Sequence, residues 1–197
     1  MFEKELSEAT ELLKKLIRIP SISREEDLCA DLIENYIAEN GYTVSRLKNN
    51  VWTIASGFDG NRPTLLLNSH IDTVKPVDGW TFDPFIPTEK DGKIYGLGSN
   101  DAGASVVALL HTFFLLSQEN QPYDLIFSAT AEEEFGIPAI IALPAAGCLR
   151  TPFAQWTSNA AGFRLFVILP GMALGECRCS HRPSPSHQGT ALCRVDA

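Results

Sequence analysis

His70 and Asp72, Asp101, and the triplet Glu132-Glu133-Glu134 are the residues whose types and order could do chemistry in this chain. His70 and Asp72 close the run Leu65-Leu66-Leu67-Asn68-Ser69-His70-Ile71-Asp72. The His-x-Asp spacing lets a carboxylate reach the imidazole of a metal-bound histidine. Asp101 closes the glycine turn Gly96-Leu97-Gly98-Ser99-Asn100-Asp101, and the triplet closes Leu125-Ile126-Phe127-Ser128-Ala129-Thr130-Ala131. One imidazole, one isolated carboxylate and an acidic triplet make a set of hard oxygen and imidazole donors, and all three clusters could converge on one metal site.

The elements that must position them follow from the flanking pattern. The two apolar runs before His70 and Glu132 read as strands that deliver polar residues at their C-terminal ends, the edge of an α/β sheet where sites are usually built. Between them, residues 73–91 carry Trp80, Phe82, Phe85 and three prolines. That length suggests a functional loop. Lys93-Ile94-Tyr95 reads as a short strand before the glycine turn, and residues 102–117 as an apolar helix buried on most sides, with His111 structural.

Upstream, Leu6, Ala9, Leu12, Leu13, Leu16 and Ile17 fall at helical spacing, and Pro20 stops that helix. Ser23-Arg24-Glu25-Glu26 reads as a capping box for a second helix with Leu28, Leu32, Ile33, Tyr36 and Ile37 on one stripe, ending at Gly41. Residues 42–47 and 51–55 read as paired strands around Asn49-Asn50, a dipeptide that tolerates positive φ, and Pro63 precedes the strand at 64–68. Farther on, residues 163–169 read as a strand, whereas 139–147 are apolar without clear periodicity.

The 197 residues, 45% hydrophobic and 20% charged, are long and apolar enough for one domain with a sizeable core. A net charge of −8 without a Lys/Arg run argues against nucleic acid. No apolar run is expected to reach the ~18 residues of a membrane span. Acids occupy the N-terminus where a secretory leader carries basic residues, and five cysteines give no even disulfide framework, so a cytoplasmic protein is expected. Charge is unevenly spread: residues 1–134 hold 22 of the 24 acids and 11 of the 16 basic residues, a balance of −11, which leaves +3 for 135–197.

Taken together, His70-Ile71-Asp72-Thr73-Val74, Tyr95-Gly96-Leu97-Gly98-Ser99-Asn100-Asp101 and Ala129-Thr130-Ala131-Glu132-Glu133-Glu134 resemble the zinc-dependent aminoacylase and carboxypeptidase metallohydrolase family. The wording is similar to its acetylornithine deacetylase-like members, over roughly residues 5–134. The resemblance implies a mixed-sheet, three-layer α/β catalytic domain, here its N-terminal part. It implies two Zn2+ ions, with cobalt as a substitute: His70 on one, Glu134 on the other and Asp101 bridging both. Asp72 would orient His70, and Glu133 would be the general base that takes a proton from the attacking water and passes it to the leaving amine. It also implies a cis peptide between Asp101 and Ala102.

The implied reaction is hydrolysis of the amide of an N-acyl amino acid, N-acetylornithine first, as in arginine biosynthesis. The alternatives are a dipeptidase, a succinyl-diaminopimelate desuccinylase or, in another class, a catalytically inactive fragment or interaction module. The sequence departs from the family pattern after Glu134. A further carboxylate ligand is expected some two dozen residues on, yet 151–161 contains no acid. A C-terminal histidine ligand and the lid or dimerisation domain through which the family forms homodimers are not matched either. Each zinc would keep two of its three protein ligands, so weak metal binding and impaired activity are expected.

The composition break suggests a truncated or frame-shifted product, with 135–197 a tail that is partly disordered. In that tail Glu176 echoes the missing carboxylate faintly, and Cys177, Cys179, His181, His187 and Cys193 could form a zinc knuckle, though irregular spacing favours unpaired thiols. Plainer readings stand beside the rest. Asp72 could cap a turn, Asp101 could cap the following helix, and the glutamate triplet could be a solvated strand end. Trp80, Phe82 and Phe85 read as loop packing.

Overall fold

The computed structural model describes residues 2–135, 155–158 and 164–168. Helix α1 (Phe2–Ile17) turns Leu12, Leu13, Leu16 and Ile17 inward, as its spacing predicts, with Glu3 and Glu5 in its first turn and Lys14 and Lys15 in its last, each complementing the helix dipole. Helix α2 (Asp27–Glu39) buries Cys29, Ala30, Ile33 and Ile37. Strands β1 (Val44–Leu47) and β2 (Asn50–Ile54) form a hairpin whose closing pair is Leu47 and Asn50.

β3 (Thr64–His70) leads into a segment containing a small two-stranded hairpin, β4 (Thr88–Lys90) with β5 (Lys93–Tyr95). A turn at Ser99–Gly103 opens helix α3 (Ala104–Leu116), which returns the chain to β6 (Asp124–Thr130). Strands β7 (Gln155–Ser158) and β8 (Arg164–Ile168) complete a six-stranded sheet in the order β1-β2-β6-β3-β8-β7. Among the described residues β3 and β6 are the one parallel pair of neighbours in this sheet, which is therefore mixed.

The β3-α3-β6 crossover makes the fold useful. Two parallel strands joined by a helix must end at the same edge, so the segments after His70 and Thr130 emerge side by side. The register pairs His70 with Thr130, and the Ile71 N–H extends the ladder by donating to the Thr130 carbonyl at 2.8 Å. Leu67, Leu125, Phe127 and Ala129 join the core cluster with Leu110 and Phe113 of α3 and Ile33 and Ile37 of α2. Full burial of each Leu, Ile or Phe among them contributes about 1.5–3 kcal/mol.

Several sequence expectations are corrected in detail. Ser23 does not cap α2: the N-cap residue is Glu26, without a side-chain cap bond, and the Ser23 hydroxyl donates instead to Asp72 Oδ2 at 2.6 Å. A buried carboxylate is the stronger acceptor, so the hydroxyl serves it. The β1-β2 turn is centred on Lys48 and Asn49, and Lys48 takes the positive φ of 53°. Asn50 lies in the strand.

The loop expected at 73–91 ends in β4, and Phe82 packs on Tyr95 with centroids 5.2 Å apart. His111 is buried in α3 within 3.1 Å of the Tyr36 hydroxyl, a structural role. The stretch Ser99–Leu116 does reach 18 residues with a mean hydropathy of 1.2, contrary to the expected absence of such a run. Half of it is buried inside the protein, as befits a core helix. β8 lies where a strand was expected and β7 where none was, which gives part of 135–197 a place beside β3. Glu176, Cys177, Cys179, His181, His187 and Cys193 lie outside the described residues.

Candidate metal centre

At the shared end of β3 and β6 the three motifs meet. His70 is buried, 3% exposed, and Nε2 of its ring stands 3.1 Å from Asp101 Oδ1 and 4.0 Å from Glu133 Oε2. Ligand atoms of His70, Glu133 and Glu134 all lie within 4.8 Å of one another. Asp101 approaches this group through His70. Of the expected ligands the fold thus gathers His70 and Glu134, joined by Glu133, which was expected as the base and not as a ligand, while Asp101 meets the imidazole of His70.

Asp101 is presented by an unusual piece of backbone. Gly98 sits in the left-handed region at φ 72°, Asp101 and Ala102 are non-helical, and the Asp101–Ala102 peptide is cis. The Gly103 N–H donates to the Gly98 carbonyl at 2.8 Å and closes the turn. A β-carbon on Gly98 would meet Thr73 Cγ2 at 2.8 Å, so the glycine is needed both for its φ and for its lack of a side chain.

Behind the histidine lies Asp72, fully buried. His70 Nδ1 donates to the Asp72 backbone carbonyl at 3.1 Å and lies 3.3 Å from its carboxylate. The same carboxylate accepts the N–H groups of Glu133 at 3.1 Å and Glu134 at 2.9 Å. Burial disfavours its charge, but the His70 and Ser23 hydrogen bonds and those two N–H groups outweigh it and hold its pKa below the usual carboxylate range. Burial likewise opposes a charged His70 ring, but Asp72 first, then Glu133 and Asp101, raise its pKa to about 9. Glu134 is pushed up, mainly by burial and partly by the neighbouring carboxylates Asp101 and Glu133.

An imidazole held by a carboxylate through one nitrogen, with several carboxylates gathered at the other, fits a divalent cation chemically. Four residues of the vicinity escaped the sequence reading: Ser23, Glu26, Asn49 and Asn50. Their bonds reach the site from distant segments, and only the polar character of the α2 entry and of the hairpin turn hinted at them.

Comparison with known proteins bears on the family and the fold. The sequence pattern described as peptidase family M20/M25/M40 matches residues 66–180, continuing past the acidic triplet. A succinyl-diaminopimelate desuccinylase of Delftia acidovorans is 30% identical over 141 residues, covering 66% of this chain and 36% of that protein. One from Xylella fastidiosa is 33% identical over 134 residues with the same coverage of each. The chain thus spans about a third of the length of the curated relatives it matches.

Among solved structures, a dinuclear metal binding peptidase of the M20 family from Bacillus subtilis superposes with a TM-score of 0.58 at 19% identity, over 76% of this chain and 41% of that one. An M20 family metallo-carboxypeptidase of Sulfolobus solfataricus gives 0.56 at 23% identity, over 66% and 32%. Those likenesses show a shared mixed α/β catalytic-domain fold, and the sequence match shows the kinship: this chain belongs to peptidase family M20/M25/M40.

Proposed function

We propose that this chain carries the N-terminal part of a metal-dependent amidohydrolase that cleaves a small N-acyl amino acid. The observation that carries the reading is the convergence of His70, Glu133 and Glu134 within 4.8 Å, with Asp101 on the same imidazole. His70, Asp101 and Glu134 would hold zinc, two ions in a complete site. Bound zinc supplies Lewis acidity and a nucleophilic water near neutral pH.

The chain's own residues do the rest. Asp72 fixes the His70 ring so that Nε2 faces the carboxylates, and Glu133 stands beside that nitrogen as the proton acceptor and later donor to the leaving amine. Among substrates, the curated relatives favour an N-succinyl diamino acid over N-acetylornithine, because those quoted above are named for succinyl-diaminopimelate desuccinylation.

A second reading, a fragment that binds metal weakly and does not turn over, is favoured by the lack of any acid at 151–161, where the family pattern places a further carboxylate ligand. One experiment separates them: zinc or cobalt titration of the full chain and of His70→Ala, followed by assays on N-succinyl-diaminopimelate, N-acetylornithine and a dipeptide. His70-dependent metal binding with turnover of the succinyl substrate supports the enzyme. His70-dependent binding without turnover of any of the three supports the fragment. Binding indifferent to His70 overturns both.

A further inference from the structure

We infer that Glu26, at the start of α2 and remote in sequence from every motif of the site, is a positioning residue for the metal centre: its buried carboxyl holds the acidic turn at 131–134 in the conformation that presents Glu133 and Glu134. This inference rests on the metal reading above.

Glu26 is 0% exposed. Its Oε1 accepts the N–H groups of Arg24 at 2.6 Å and Glu132 at 3.3 Å, and its Oε2 accepts Asn49 Nδ2 at 3.0 Å. One carboxyl therefore ties together the entry to α2, the β1-β2 turn and the end of β6. Four non-glycine residues among those described have left-handed backbone: Arg24 (φ 80°), Lys48 (53°), Asp91 (51°) and Glu132 (60°). Two of them donate their N–H to Glu26, and a third precedes the asparagine that does. Left-handed backbone at L-residues persists only where surroundings impose it. Here the common surrounding is Glu26.

The purpose of that grip is read from the turn itself. Its four successive N–H groups all end on side-chain oxygens: Ala131 on Asn50 Oδ1 at 3.2 Å, Glu132 on Glu26, and Glu133 and Glu134 on the two oxygens of Asp72. Asp72 sets the second half of the turn and is tied to His70; Glu26 sets the first half. Glu132 holds its left-handed φ of 60° where the chain leaves β6 and enters the Glu133–Phe135 turn. Releasing its N–H lets φ return to the ordinary region and swings the side chains that follow. A helix-entry residue concerned only with α2 would have no bond to the turn. Glu26 begins α2 as well, its carbonyl accepting the Ala30 N–H at 2.8 Å, so both duties meet in one residue.

The test uses the full chain. In Glu26→Gln an amide faces the Asn49 amide, donor against donor, whereas Glu26→Gln with Asn49→Asp restores a donor opposite an acceptor. Zinc affinity is measured by chelator competition, and exchange of the backbone amides of residues 132–134 by metal-free NMR, beside thermal unfolding. The expected result is zinc binding about tenfold weaker in Glu26→Gln, as for other residues that orient ligands through a second bond, faster exchange at 132–134, and recovery of both in the double variant.

Should Glu26→Gln not fold, Asn49→Ala removes one of the three bonds and is expected to shift both readouts the same way by a smaller factor; no shift there overturns the inference. A folded Glu26→Gln with unchanged exchange, or with wild-type zinc affinity at a lower unfolding temperature, also overturns it. Zinc binding by the parent chain that is indifferent to His70→Ala overturns the metal reading and this inference together. That failure is told apart because it appears before any Glu26 variant is made.

Discussion

The carboxylate of Asp72 stands 3.3 Å from His70 Nδ1 while its own backbone carbonyl lies 3.1 Å from the same nitrogen, so one residue grips the ring and turns Nε2 toward Asp101 and Glu133. The same carboxylate carries the Glu133 and Glu134 N–H groups, which makes it the joint between the β3 and β6 halves of the centre. Asp72→Asn leaves one acceptor oxygen and sets an amide donor against hydrogens already pointing at it. Zinc affinity is expected to fall about 10–100-fold and stability by about 2 kcal/mol. Chelator competition and urea unfolding measure the two separately; unchanged affinity would show that His70 needs no such partner.

How much of this could be read from the chain depends on how local each cause is. His70, Asp72, Asp101, Glu133 and Glu134 were legible because each closes a local pattern, an apolar strand or a glycine turn, and the β3-α3-β6 crossover then has to bring those ends together. Ser23 and Glu26 were not. Their spacing satisfies a helix-capping pattern, and nothing local reveals that Ser23 bonds Asp72, 49 residues on, or that Glu26 bonds the Glu132 N–H, 106 residues on. Lys48 in the left-handed turn position was missed for a similar reason: Asn49 is drawn to Glu26, and the register falls one residue earlier than the Asn-Asn pair suggests. The place of β8 beside β3, with β7 on its far side, depends on pairing between distant segments, which periodicity does not encode.

Gly98→Ala tests whether the turn before Asp101 needs glycine for its backbone or for its bareness. The position combines φ 72° with a β-carbon site 2.8 Å from Thr73 Cγ2. Gly92 has φ 70° and nothing within 4 Å, so Gly92→Ala isolates the backbone cost, expected at about 1 kcal/mol. Gly98→Ala is expected to cost about 1–3 kcal/mol more, because Thr73 is itself buried and bonded through its N–H to Ser21 at 2.8 Å. Equal losses in urea unfolding would mean that the loop around Thr73 gives way freely.

Cys29 lies under the His70–Asp72 segment, 2% exposed, its sulfur 3.9 Å from the Ile71 carbonyl oxygen. Burial, offset in part by Ser21, pushes its pKa to about 12. At pH 8 the thiolate fraction is about a thousandfold below that of a free cysteine, so iodoacetamide should leave Cys29 unmodified in the folded chain and label it on unfolding. Because the folded pKa is raised, the neutral thiol contributes stability that is fully present below about pH 9 and is lost as pH rises toward 12. Peptide-level mass spectrometry of labelled protein checks the first statement, and urea unfolding of Cys29→Ala against the parent between pH 8 and 11 checks the second. Native labelling at pH 8 would mean that this segment opens readily.

At the far end of β6 from Thr130, Asp124 does for the sheet what Asp72 does for the site. Its buried carboxylate accepts the N–H groups of Asp59 at 3.1 Å and Gly60 at 2.7 Å and pairs with the Arg62 guanidinium at 2.6 Å. Those bonds pin the 57–62 loop to the first residue of β6, where the Asp124 N–H donates to Pro63 at 2.8 Å. Asp124→Ala strands three donors at once; because Arg62 remains partly exposed and can turn to water, the loss is expected at about 3 kcal/mol rather than the larger penalty of a fully buried charge. Zinc affinity in the same variant should be unchanged below its unfolding transition, since every group it disturbs lies a whole strand length from His70. A parallel fall in affinity would show that the strand transmits its register from one end to the other.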